Sequence, residues 1–157
     1  ILGLGLAGLW FPPVLAAAVR APKRWSLHVE VVTNVIPTVN DDDQTLRGIA
    51  EWIRTALGPD TPWHITRFFP YLELAHLPPT PVATLERARE IGAEEGLHFV
   101  FVGNVQVPGG EDTVCPGCGA IAIGREGYAV TERSMRDGAC ATCGRLLGVK
   151  ESAAHPE

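Results

Sequence analysis

Four cysteines carry the clearest chemistry in this 157-residue chain, and all lie in its last 43 residues. They stand as Cys115-Pro116-Gly117-Cys118-Gly119 and Cys140-Ala141-Thr142-Cys143-Gly144, with 21 residues between Cys118 and Cys140. Two residues between thiolates let one tight turn present both sulfurs to one ion. The glycine that follows permits the turn that aims amide N–H groups at sulfur. Two such motifs complete a closed S4 site at Cys115, Cys118, Cys140 and Cys143, the arrangement of structural Zn2+. Iron can occupy the same cage. Two disulfides would suit an exported protein, and a redox CxxC would want one pair at a helix start beside a sheet. A closed site leaves no position open for substrate, so the ion is expected to be structural and to supply much of the segment's folding energy. Ile121–Val130 predicts a hairpin turning at Glu126-Gly127, which makes residues 109–150 a small β zinc ribbon.

Upstream, the candidates are single residues near the ends of predicted strands, where the loops of parallel α/β units carry chemistry. Arg67 is the most suggestive: a guanidinium at the mouth of a sheet wants an anion, either a substrate carboxylate or an acidic residue such as Glu30. His64, and with less support His28 and His98, read as hydrogen-bonded structural groups more readily than as bases or ligands. Asp41, Asp42 and Asp43 are explained by the first turn of a helix. No phosphate-binding glycine loop or nucleophile elbow is present.

The elements that position these residues follow from periodicity. Leu27–Ile36 is β-branched and stops at Pro37, as a strand does. Asn40 offers an N-cap, and Leu46, Ile49, Ala50, Ile53 and Leu57 form one helical stripe ended by Gly58-Pro59. Trp63–Phe69 is a second strand, followed by an irregular loop from Tyr71 to Pro79. Thr80 then reads as an N-cap with Pro81 in the first turn of a helix bearing Val82, Leu85, Ala88 and Ile91. Leu97–Val102 is the third strand. Strand starts at Leu27, Trp63 and Leu97 lie 36 and 34 residues apart, a spacing that implies parallel pairing through helical crossovers. A complete (β/α)8 barrel takes about 250 residues. The expected fold is therefore α/β: a partial parallel (β/α) barrel fragment over residues 25–108, then the ribbon, with a tail at 151–157.

Composition narrows the function classes. A net charge of -5, with 13 Lys+Arg against 18 Asp+Glu, excludes a strongly cationic nucleic-acid binder. Residues 115–147 hold four arginines against three acidic residues, too little for strong phosphate binding. Residues 1–19 carry no charge, yet Gly3, Gly5, Gly8, Pro12 and Pro13 interrupt a run that would need about 20 apolar residues to span a bilayer. Residues 1–24 are read as an apolar lead-in, Ala16-Ala17-Ala18 leaves a truncated signal peptide open, and a cytoplasmic, membrane-free chain is expected. The chain begins at Ile1 without Met, which suggests a fragment.

The order of motifs is more specific than any one of them. Val29-Glu30-Val31-Val32-Thr33-Asn34-Val35-Ile36-Pro37-Thr38-Val39-Asn40-Asp41 comes first, then Pro62-Trp63-His64-Ile65-Thr66-Arg67-Phe68 and Pro79-Thr80-Pro81. Val102-Gly103-Asn104-Val105 and Cys115-Pro116-Gly117-Cys118-Gly119 complete the set. Over residues 25–147 this resembles the C-terminal half of radical SAM enzymes of the pyruvate formate-lyase-activating type, in the branch named for the AmmeMemoRadiSam system. The resemblance implies that the three strands are the last of a partial (β/α)6 barrel and that S-adenosylmethionine lies across their carboxyl ends. Asn34, Ile36, Thr66 and Arg67 are then the cofactor-binding positions. Family members reduce a [4Fe–4S] cluster and cleave the cofactor to a 5′-deoxyadenosyl radical, which acts on a substrate or a partner protein. The family's CxxxCxxC cluster motif is absent here, so the resemblance implies a chain inactive without a missing N-terminal half. Thr38 stands where the family has glycine, and Phe69 where it has histidine. The alternative from a different class is a binding module whose zinc ribbon contacts protein or nucleic acid.

Overall fold

The computed structural model describes residues 27–127 and 129–149, together with Ala17, Val19, Arg20, Arg24 and Trp25. The expected lead-in over residues 1–24 and the tail at 151–157 fall wholly or largely outside these. The chain divides between Glu30 and Val31 into two units, and the architecture lies in the second. That unit is mixed α/β with three small sheets. Its first sheet is parallel, in the order β1 (Val31–Val35), β2 (Trp63–Arg67), β3 (Val100–Gly103). Helix α1 (Asp43–Ala56) joins β1 to β2, and α2 (Val82–Glu94) joins β2 to β3. No barrel closes. Among the described residues no helix is long and apolar enough to cross a membrane.

Alternation along the strands decides which face is covered. Val35, Trp63, Ile65, Val100 and Val102 form one core with Leu46, Ala50 and Ile53 of α1 and Leu85, Ala88 and Ile91 of α2. Both helices therefore cover the same face. Gly92 lets α2 come this close, since a Cβ there would sit 2.9 Å from Val100 Cγ2 and 3.0 Å from Trp63 Cε3. The opposite face is different in kind. Over β1 and β2 it carries Val32, 65% exposed, exposed Asn34, and half-buried His64 and Thr66. Over β3 it carries Phe99 and Phe101, which pack against the cysteine-bearing segment. Among the described residues, no strand pairs with the outer edge of β1.

Two expected N-caps are displaced. Asp42, not Asn40, caps α1, its carboxylate accepting from Thr45 N–H at 2.9 Å and Thr45 Oγ1 at 2.7 Å. These bonds, the hydroxyl's first, hold the Asp42 carboxyl below its ordinary value. Its stabilisation is present above the unfolded pKa and is lost as pH falls through the depressed folded one. Asp42→Ala is therefore expected to melt below the parent at neutral pH, with the gap closing in acid below about pH 4. Thermal melts across pH check this; a gap independent of pH would contradict it. Asn40 instead ties the loop after β1, accepting Ile36 N–H at 2.6 Å and donating to Asn34 O at 3.1 Å. Pro81, not Thr80, is the cap residue of α2. Within the expected irregular loop, Leu72–Leu74 makes one 3-10 turn.

Between Asn34 and Asn40 the backbone turns through Thr38 at φ 66°. A β-branched residue in the left-handed region pays about 1–2 kcal/mol in sterics. Thr38→Gly is expected to raise stability by up to about 1 kcal/mol, after the extra chain entropy of glycine is set against the relief. Denaturant unfolding at unchanged m-value is the measurement; a destabilised variant would refute the strain argument.

Candidate metal centre

After β3 the chain forms β4 (Thr113–Val114), β5 (Ile121–Glu126) and β6 (Ala129–Arg133), an antiparallel sheet. β7 (Met135–Arg136) and β8 (Ala139–Cys140) pair as a second, two-stranded one. The β5–β6 hairpin turns at Gly127, φ 60°, where the sequence places its turn. Each end of this segment carries one cysteine motif, and the two motifs fold alike. Cys115 N–H donates to Ala120 O at 2.8 Å, and Cys140 N–H to Arg145 O at 2.9 Å. Gly119 N–H returns to Cys115 O, and Gly144 N–H to Cys140 O, both at 2.8 Å. These two glycines share a left-handed backbone, φ 74° and 75°, with open space where a Cβ would stand. Conformation, not crowding, demands glycine at both positions.

The turns bring all four sulfurs within 4.8 Å of one another. Cys115 Sγ lies 3.5 Å from Cys143 Sγ, and Cys118 Sγ 3.7 Å from Cys140 Sγ. A tetrahedron with Zn–S bonds of about 2.3 Å has edges of about 3.8 Å, so the donor set fits an ion such as zinc. Cys115 and Cys140 are buried, whereas Cys118 and Cys143 face outward. Amide donors bias the thiols: the N–H groups of Cys143 and Thr142 draw Cys140 down to about 6. Cys118 receives the Ala120 N–H, which favours thiolate, yet desolvation and its three cysteine neighbours push it up to about 12. A metal ion held here would replace this conflict by taking all four as thiolates.

The strand-end residues are arranged less tightly. Asn34 pairs with Thr66 across β1 and β2, so the two stand side by side on the face away from the helices. Thr66 pairs in turn with Gly103. Ile36 lies half-buried just beyond β1. Arg67 belongs to the opposite, helix-bearing face. Its Nε donates to Thr80 O at 2.9 Å and its guanidinium lies 5.4 Å from the centre of the Phe69 ring, so a carbonyl and a ring meet the cation. His64 stacks on Phe101 at 5.1 Å.

Two residues at this end have roles that the sequence does not show. Thr80 is fully buried, its hydroxyl donating to Val35 O at 2.6 Å and accepting Phe68 N–H at 2.9 Å. It thus binds the ends of β1 and β2 together. Asn104, just past β3, holds φ 61° and reaches Arg67 O at 3.5 Å. No sequence signal separates such a threonine from an N-cap.

The chain matches no family model and no solved structure. It is 38% identical over 139 residues, 87% of its length, to an uncharacterized protein of Methanocaldococcus jannaschii. The match spans 41% of that protein, so the chain corresponds to about two fifths of its relative.

Proposed function

We propose that this chain is the C-terminal portion of a radical SAM enzyme of the activating type, with a structural zinc ribbon built on Cys115, Cys118, Cys140 and Cys143. The observation that carries this reading is the parallel β1-β2-β3 sheet, helix-covered on one face only. Its other face presents Asn34 beside Thr66 near the strand carboxyl ends. In a partial barrel that face is the interior and the free edge of β1 receives the preceding strand. The left-handed backbone at Thr38, where the resembled family has glycine, supports the alignment of this loop. The length of the archaeal relative supports a larger whole.

In this reading S-adenosylmethionine supplies the reactive adenosyl group. Asn34 and Thr66 present polar side chains to it and Ile36 contributes apolar surface, whereas Arg67, on the helix-bearing face, braces the end of β2 through Thr80 O. The family's cluster motif, CxxxCxxC, is absent from this chain, and its four cysteines form two CxxC pairs whose sulfurs lie within 4.8 Å of one another, a spacing that fits a single ion. The cluster's ligands belong to the N-terminal half, the first partner the reading requires, with a protein substrate as the second. Calorimetric titration with S-adenosylmethionine tests the proposal: saturable binding is expected, weakened at least tenfold in Asn34→Ala, whose side chain stands on the proposed face. Absence of binding, together with a preceding coding sequence that lacks CxxxCxxC, would reject it.

A further inference from the structure

One side chain leaves the cysteine motifs for the amino-terminal ends of the parallel strands. Arg145 follows Cys143 by two residues, and its carbonyl accepts the Cys140 N–H. Its stem runs over Gly117, where a Cβ would meet Arg145 Cδ at 3.1 Å and Cys143 Sγ at 3.4 Å. Its guanidinium Nη2 stops 3.3 Å from His98 Nδ1 and 3.7 Å from Asp60 Oδ1. Asp60 precedes β2, His98 precedes β3, and the two bond to each other at 2.8 Å. The same turn is closed by backbone: His98 N–H donates to Pro59 O at 2.9 Å, and Thr61 N–H to Gly58 O at 3.2 Å.

We infer that Arg145 is a metal-dependent latch, through which occupancy of the four-cysteine centre holds the turn at residues 58–61 against the start of β3. The inference rests on the metal reading and is independent of S-adenosylmethionine. The physical chain is short. A bound ion fixes Cys140 and Cys143, their turn fixes the Arg145 backbone, and the stem confined over Gly117 aims the guanidinium at Asp60. A loosened motif lets the long side chain recover its rotamers, and an exposed carboxylate does not hold it alone. A tetrathiolate around a divalent ion carries two negative charges, which favour a cation beside it.

Amide hydrogen exchange on the full chain, with Cd2+ or with chelator, tests the latch. In the parent, chelation is expected to speed exchange at His98 and Thr61 about tenfold. Arg145→Ala is expected to keep its cadmium–thiolate absorption while both amides exchange at the metal-free rate under either condition. Asp60→Ala, which leaves the cysteine segment untouched, is expected to do the same and decides the matter if Arg145→Ala impairs metal uptake. Gly117→Ala displaces the stem and is expected to show a partial effect. The latch is overturned if chelation leaves both amides unchanged in the parent, or if Asp60→Ala keeps the parent's response. A flat cadmium titration of the parent would overturn the metal reading along with it.

Discussion

Cys140→Ser is expected to abolish stoichiometric metal binding and to unfold the segment from Thr113 to Leu147, while the parallel sheet and its helices persist. The segment's own apolar core is small: Ala122 and Leu147 pack with Phe99, the other buried members of that cluster are Cys115 and Cys140, and Ile123 is buried outside it. Under the proposed metal reading Cys140 is therefore both ligand and core. Strand β6 adds nothing to that core, being exposed throughout. In small metal-folded modules a structural zinc contributes on the order of 10 kcal/mol, more than such a core can replace. The parallel sheet, by contrast, has its own core of Trp63, Ile65 and the two helix stripes.

Elemental analysis of the parent should return one ion per chain, and the variant less than a tenth of that. Hydrogen exchange should show loss of protection in the cysteine segment, the β3 face beneath it and the turn at residues 58–61, with the rest of the parallel sheet and its helices still protected. Affinity also depends on pH with a definite sign. Metal binding displaces protons from thiols, Cys118 being held up at about 12, so affinity rises with pH. It falls steeply once pH drops through about 6, where Cys140 too becomes protonated. Two ions per chain, or a segment still protected in chelator, would defeat this account.

What the sequence revealed and what it hid differ by the range of the interaction. The stripe Leu46, Ala50, Ile53 is legible because its spacing is local, and these three are the residues that α1 buries. The glycines after each cysteine motif are legible for the same reason: a five-residue turn dictates its own φ. Asn40 and Thr80 were not. Each has the side chain and position of an N-cap, and a hydroxyl or amide can bond a nearby helix end or a distant carbonyl equally well. For Thr80 the winning acceptor is Val35 O, 45 residues earlier, which no window along the chain contains. Arg67 is a related case. The group that the structure places at its Nε is the Thr80 carbonyl, held there by the anchored Thr80 hydroxyl, and no local motif announces it. The latch residues Asp60, His98 and Arg145 lie in three separate connections and share no motif at all.

Thr80→Val should be among the most damaging single substitutions that leave side-chain volume nearly unchanged. The valine fits the cavity but can neither donate to Val35 O nor accept from Phe68 N–H, and both of these residues are buried. Each stranded backbone group costs about 1–3 kcal/mol, so a loss of about 2–4 kcal/mol is expected, a fall in Tm on the order of 10 °C. Thr80→Ser keeps the hydroxyl and forfeits one methyl, at about 1 kcal/mol. The serine variant therefore separates hydrogen bonding from packing: equal losses in both would show that the hydroxyl is not what matters. The consequence reaches the proposed cofactor face. Thr80 O holds Arg67, and the Thr80 hydroxyl keeps the end of β1 in register with the end of β2, where Asn34 faces Thr66. Thr80→Val should accordingly weaken S-adenosylmethionine binding even at temperatures where the variant is fully folded, whereas Thr80→Ser should not.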